Sequence, residues 1–178
     1  MGFHHVAFAA RDMQATHRFY TEACGFELVK AVVGPTEGGV GWAKHLFYDT
    51  GSNGLIAFWE LHDERMAGKD TAISTGLGFE VWVNHLAFSA DSIEDLEAKR
   101  ERWLDHGHDV MQMDHGFCVS VYTMDPNGIM VEYCVDTAPY TAEDKAHALA
   151  VLADAQPDLE PMKEPEFFSA RKPQPAPA

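Results

Sequence analysis

Apolar and polar positions alternate from Phe3 to Ala10, which predicts a strand near the start of the chain. Asp12 then stands where a helix N-cap would. Met13, Thr16, Phe19, Tyr20 and Ala23 follow at helical spacing, and Gly25 marks the stop. Strands are predicted over Phe26–Val33, Trp42–Asp49 and Leu55–Leu61, separated by the glycine-rich loop from Gly34 and the Gly51-Ser52-Asn53-Gly54 turn. The pattern then lapses from His62 to Gly78, a polar connecting segment that is long for a loop within one domain. It resumes with a strand over Val81–Ala90 and a helix opened by Ser92, with Asp95 at capping-box spacing, that gives out at His106-Gly107. Three more strands are predicted over Asp109–Asp114, Phe117–Met124 and Ile129–Cys134. A short helix over Thr141–Ala155 follows, then from Gln156 a Pro- and Glu-bearing tail expected to be extended or disordered.

The order strand, helix, three strands therefore occurs twice, and the letters repeat as well as the pattern. His5-Val6-Ala7-Phe8-Ala9-Ala10 matches His85-Leu86-Ala87-Phe88-Ser89-Ala90, and Phe47-Tyr48 before Asn53-Gly54-Leu55 matches Val121-Tyr122 before Asn127-Gly128-Ile129. Each unit alone would leave a sheet half exposed, so the two are expected to pair around one interior. The division is residues 1–140 as one domain (module one 1–62, linker 63–79, module two 80–135) and 141–178 as a C-terminal helix and Pro-rich tail.

Composition narrows the function classes. At 178 residues the chain can bury a sizeable core. The net charge of −15 argues against a nucleic-acid partner, which would need a basic footprint. No run of 18 apolar residues suggests a membrane span. Cys24, Cys118 and Cys134 are an odd count without CxxC spacing, so a reduced, cytoplasmic setting is the expectation.

Chemistry enters with Glu132, a carboxylate inside the strand pattern Ile129-Met130-Val131-Glu132-Tyr133. Burying a charge there is costly without a cation or several donors. His5 and His85 occupy equivalent repeat positions, and Glu60 lies on the last strand of module one as Glu132 lies on the last strand of module two. Two imidazoles and two strand-borne carboxylates suit a divalent first-row metal: Fe, Mn, Ni, Co or Zn. Counted from the Asn-Gly turns, the position equivalent to Glu132 is Phe58. Glu60 lies two residues on, with equal claims as ligand and as ordinary strand-end carboxylate.

At HHVAFAARDMQATHRFYTEACGF, NHLAFSADSIEDLEAKRERWLDHG and VYTMDPNGIMVEYC the chain resembles the vicinal oxygen chelate superfamily, which spans glyoxalases, epimerases, extradiol dioxygenases and antibiotic-resistance proteins. The resemblance covers about Gly2 to Cys134. It implies an α+β fold of two paired βαβββ modules forming a U-shaped mixed sheet around a metal, with ligands at His5, His85 and Glu132. His4 is the register competitor of His5. The run from His115 to Glu132, through Tyr122, Asp125-Pro126 and Gly128, resembles the extradiol dioxygenase signature, with Met113 a departure. It implies a 2-His-1-carboxylate Fe(II) site for a catechol-type aromatic, with His115 and Tyr122 orienting the substrate. That branch generally carries another acid–base histidine, for which His62 is the nearby candidate. Glu60 as a fourth ligand would instead imply a glyoxalase- or epimerase-type isomerase or lyase. A non-catalytic resistance-type binding protein is the third class. Phe58, Trp59, Phe117 and Tyr122 are candidate pocket residues, and a homodimer is expected because dimers are common in the superfamily.

Overall fold

The computed structural model describes residues 3–51 and 54–171. Module one comprises β1 (His5–Ala9), α1 (Met13–Arg18), β2 (Glu27–Pro35), β3 (Trp42–Asp49) and β4 (Leu55–His62). Module two comprises β5 (His85–Ser89), α2 (Ile93–Asp105), β6 (Val110–Asp114), β7 (Cys118–Met124) and β8 (Met130–Asp136). The expected α+β architecture of paired βαβββ units is present as two mixed sheets. The first runs β1-β4-β3-β2 and the second begins β5-β8-β7-β6, each with one parallel pair (β1 with β4, β5 with β8) and antiparallel neighbours beyond it. Ser52 and Asn53 of the first Asn-Gly turn lie outside the described residues.

Asp12 caps α1 by accepting from Ala15 N, and Ser92 caps α2 by accepting from Asp95 N. After Arg18 the first helix widens into a π turn over Phe19–Ala23, closed by Cys24 N donating to Phe19 O. The helix-bearing faces of both sheets share one core. Tyr20, Tyr48, Phe58, Trp103 and Tyr133 are its largest side chains, each 2% exposed or less. Large buried apolar side chains of this kind contribute about 2–3 kcal/mol each.

Polar contacts lock the modules together at the Asp125-Pro126-Asn127-Gly128 turn. Asp125 accepts from Asn127 N, Ile129 N and Asn127 Nδ2 within its own loop, and from Tyr20 Oη of module one. Asn127 Oδ1 accepts from Arg11 N and Thr16 Oγ1, also of module one. The buried turn is thus an inter-module clamp. On the far side Arg102 of α2 donates to Glu22 O at the C-terminal end of the π turn, a favourable place for a cation.

The linker packs against this clamp: Thr71 Oγ1 donates to Asn127 O, and Ala72 and Ser74 are buried. The apolar letters Val81, Trp82 and Val83 form a turn and not the start of a strand. Ser74 Oγ donates to Glu80 O and accepts from Asn84 N there. Beyond the modules, α3 (Ala142–Ala153) carries a Thr141–Asp144 capping box and buries no residue. The tail departs from the expected loose arm: Glu166–Phe168 forms β9, antiparallel to β6, making the second sheet five-stranded. Arg171 holds its end through Glu101 and Asp105 of α2. The final KPQPAPA stretch lies outside the described residues.

Candidate active site

Sheet register decides which side chains share a face, because neighbours aligned across strands point the same way and successive residues alternate. In the second sheet Ala87 aligns with Glu132, Glu132 with Tyr122, and Tyr122 with Met111. His85, two residues before Ala87, lies on that same face, away from the helix side where Val131, Tyr133 and Val121 are buried. In the first sheet Ala7 aligns with Ala57 and Ala57 with Phe47. The residue equivalent to Glu132 is therefore Ala57, and the partner of Tyr122 is Phe47.

Counting from the Asn-Gly letters gave Phe58 and Tyr48 instead, both one residue off and both turned into the core. The cause is the hairpin loops. Asp49 pairs with Leu55 and Met124 with Met130, so each loop holds five residues. The Asn-Gly pair falls one place later in the first. A shift of one residue reverses every side chain.

The open face of the second sheet carries a compact polar cluster. Glu132 is only 5% exposed, and its Oε2 lies 3.0 Å from His85 Nε2. His85 Nδ1 lies 2.8 Å from Trp82 O, a carbonyl that only accepts, so Nδ1 carries the proton. In the neutral ring Nε2 then turns its lone pair toward a carboxylate, an arrangement that calls for a cation or a second proton between them. Donors about 2.1 Å from one metal and at right angles are about 3.0 Å apart, so the pair fits two adjacent coordination positions. Tyr122 Oη sits 2.9 Å from His115 Nε2, with His115 on the exposed turn after β6. Burial, and then the nearby Glu132 charge, raises the Tyr122 phenol above its ordinary range, so it stays a hydrogen-bond donor at neutral pH.

His5 lies on the open face of the first sheet. Its ring stands 5.3 Å from Phe47 and 6.0 Å from His45, and its Nδ1 is 2.7 Å from His4 Nδ1. His45 was not anticipated. It stacks on Trp59 at 3.8 Å, and its Nε2 is buried without a hydrogen-bond partner. Burial, then the neighbouring His5, lowers its pKa. Its place on an alternating strand at the parity of Phe47 was the available signal.

Glu60 aligns with Lys44 and, at the parity of Phe58, lies on the opposite face from His5. Lys44 Nζ donates to both its oxygens at 2.9 and 3.1 Å, and His62 Nε2 lies 2.6 Å from Oε1. The Lys44 bonds, ahead of His62, hold its pKa below the usual carboxylate range. His62 itself stacks on Trp42 at 3.7 Å, away from the Tyr122 cluster. Among the described residues no three His, Cys, Asp or Glu side chains converge, so within one chain His85 and Glu132 come together and His5 stays apart.

The family model for the Glyoxalase/Bleomycin resistance protein/Dioxygenase superfamily matches residues 2–133. The chain belongs to that superfamily. Its clamp turn and its His85–Glu132 pair both fall inside the matched span. Among solved members, a glyoxylase/bleomycin resistance protein/dioxygenase domain from Frankia sp. EAN1pec is 23% identical, with a TM-score of 0.58 over 76% of this chain and 98% of its own. The fosfomycin resistance protein FosX from Listeria monocytogenes is 18% identical, with a TM-score of 0.54 over 82% and 98%. Lactoylglutathione lyase from Agrobacterium tumefaciens is 20% identical, with a TM-score of 0.50 over 75% and 92%. At these identities the superfamily neighbours speak to fold alone. No curated protein sequence matches the chain.

Proposed function

We propose that this superfamily member is a metal-dependent oxidoreductase of the extradiol-dioxygenase kind, acting on a catechol-type aromatic. The observation that carries the reading is the donor set. His85 and Glu132 converge with the geometry of two adjacent ligands, while module one offers His5 on its open face, with Ala57 where a second carboxylate would stand. That is two imidazoles and one carboxylate, the facial set that suits Fe(II) and leaves positions open. Glu60, committed to Lys44 on the other face, gives little support to the four-ligand isomerase reading. A solved FosX complex contains Mn(II), which supports metal binding by this fold without selecting Fe(II).

The metal centre is best completed between two chains. One chain leaves His5 apart from His85 and Glu132 and exposes Val32, Trp59 and Leu61 on the open face of its first sheet. A second copy that covers this face with the open face of its second sheet would bury that surface and bring the three donors together.

When bound, the ion supplies adjacent positions at which a catecholate and O2 can meet. The chain's residues do the rest. Trp82 O fixes the tautomer of His85, so Nε2 is the atom that would hold the metal. In the tautomer that carries its proton on Nε2, His115 donates to the Tyr122 oxygen, which leaves the Tyr122 O–H for the oxygen of a bound substrate. His115, exposed on its turn, exchanges protons with solvent.

The test is anaerobic loading with Fe(II), then exposure to O2 with simple catechols, followed by absorbance of the yellow ring-fission product. Turnover is expected with at least one catechol. No product from any catechol, together with isomerisation of a hemithioacetal by the Ni(II)- or Co(II)-loaded protein, would overturn the assignment in favour of the lyase class.

A further inference from the structure

The aligned row that carries Glu132 and Tyr122 does not stop at the edge of the repeat. It runs Ala87, Glu132, Tyr122, Met111 and then Phe167, one residue from each of β5, β8, β7, β6 and β9. The last member comes from the tail, beyond the family match that ends at residue 133. Phe167 is 76% exposed, a large ring held on the same open face as Tyr122. Beside it lies a cavity of about 410 Å³ whose lining includes Val81, Met111, Tyr122, Met124, Met130 and Phe167. Three methionines and a phenylalanine make this wall apolar and adaptable. Strands lie about 4.8 Å apart, so Phe167 stands about 10 Å from the Tyr122 position and about 14 Å from that of Glu132.

We propose that the C-terminal segment, through Phe167, builds a subsite for an apolar substituent of the substrate and so sets the substrate length this enzyme accepts. The proposal rests on the reading that substrate binds at Glu132 and Tyr122. A lone ring held there cannot span three strand spacings, whereas a ring carrying an alkyl or aryl arm can. The segment is tied down for the task. Lys163 pairs with Asp114, Ala170 N donates to Asp109 Oδ1, Phe168 packs under Arg100 at 4.4 Å, and Arg171 N donates to Leu104 O.

The experiment titrates 4-ethyl-, 4-butyl- and 4-hexylphenol into the metal-free full-length protein by calorimetry. Each added methylene is expected to tighten binding roughly two- to fourfold. In Phe167→Ala, whose exposed ring can be removed without unfolding, that gain per methylene should be lost while 4-ethylphenol binds as before. Met124→Ala, on the same cavity, should reduce it too. An equal gain per methylene in Phe167→Ala and wild type, or no gain in wild type, overturns the subsite. Mn(II) titration separates the two readings. Phe167→Ala should bind the ion as wild type does, and absence of binding in both would count against the metal centre while leaving the phenol result to stand.

Discussion

Glu132 and Ala57 hold the same place in the two halves of the chain, and the difference between them sets the proposed chemistry. Removing a metal ligand costs more than removing the group behind it, which is itself worth 10- to 100-fold at about the usual scale. Glu132→Gln is therefore expected to lower Mn(II) or Fe(II) affinity by more than about a hundredfold. If wild type binds neither ion, His85 and Glu132 form only an ion pair. Glu60→Gln should leave metal affinity within about twofold and cost about 0–1 kcal/mol in urea unfolding, because it weakens only partly exposed pairs with Lys44 and His62. Tyr122→Phe removes a donor and not a ligand. It should keep metal affinity and lower kcat about 10²-fold, visible as a kcat effect with little change in KM.

At the scale of elements, the strands of both modules, their helices and the helix caps were legible because hydrophobic period and capping letters are local signals, whereas β9 in the tail was not. His85 and Glu132 were legible as partners because adjacent parallel strands bring them together within one module. Glu60 was not resolved, since its face depends on register, and the displaced Asn-Gly letters conceal a one-residue offset. The Asp-Pro-Asn-Gly letters were legible as a signature, but what they build is a clamp. Asn127→Ala would strand the partners of a buried side chain and should cost about 3 kcal/mol in urea unfolding, with no direct loss of metal affinity. The segment after β4 responds to acid. Asp63, its side chain fully buried, accepts from Arg65 and Thr36, and the Arg65 bonds above all depress its pKa. Its contribution is complete above the ordinary carboxylate range, about pH 4, and is lost as pH falls below it. The urea midpoint should drop across that window in wild type, and Asp63→Asn should flatten the drop.

For the whole molecule, the proposed sharing of the centre between chains makes a strict numerical demand. His5→Ala and Glu132→Gln should each abolish tight metal binding alone. Unfolded together in equal amounts and refolded, they should recover about a quarter of the wild-type sites, since half of randomly formed dimers are mixed and each mixed dimer keeps one intact set. Recovery of none, with dimers seen by sedimentation, would place all three donors in one chain. The sequence does not distinguish this proposed division from a centre within one chain. A repeat shows which residues are equivalent but not whether equivalent faces meet within a chain or between chains.

The added tail strand has one more consequence, for solubility. A sheet edge with free backbone groups is a template for another chain. In the first sheet the outer strand β2 is protected by a bulge between Leu28 and Lys30, by Lys30 itself and by Pro35. In the second sheet β6, whose residues Val110-Met111-Gln112-Met113 carry no charge until Asp114, has no such feature of its own. β9 pairs along that edge from Val110 to Gln112 and is only three residues long, too short to recruit a further strand well. Proteolytic loss of the chain from Glu166 onward would take Phe168 from the margin of the core and uncover an adhesive edge, so a trimmed preparation is one that should cloud on storage.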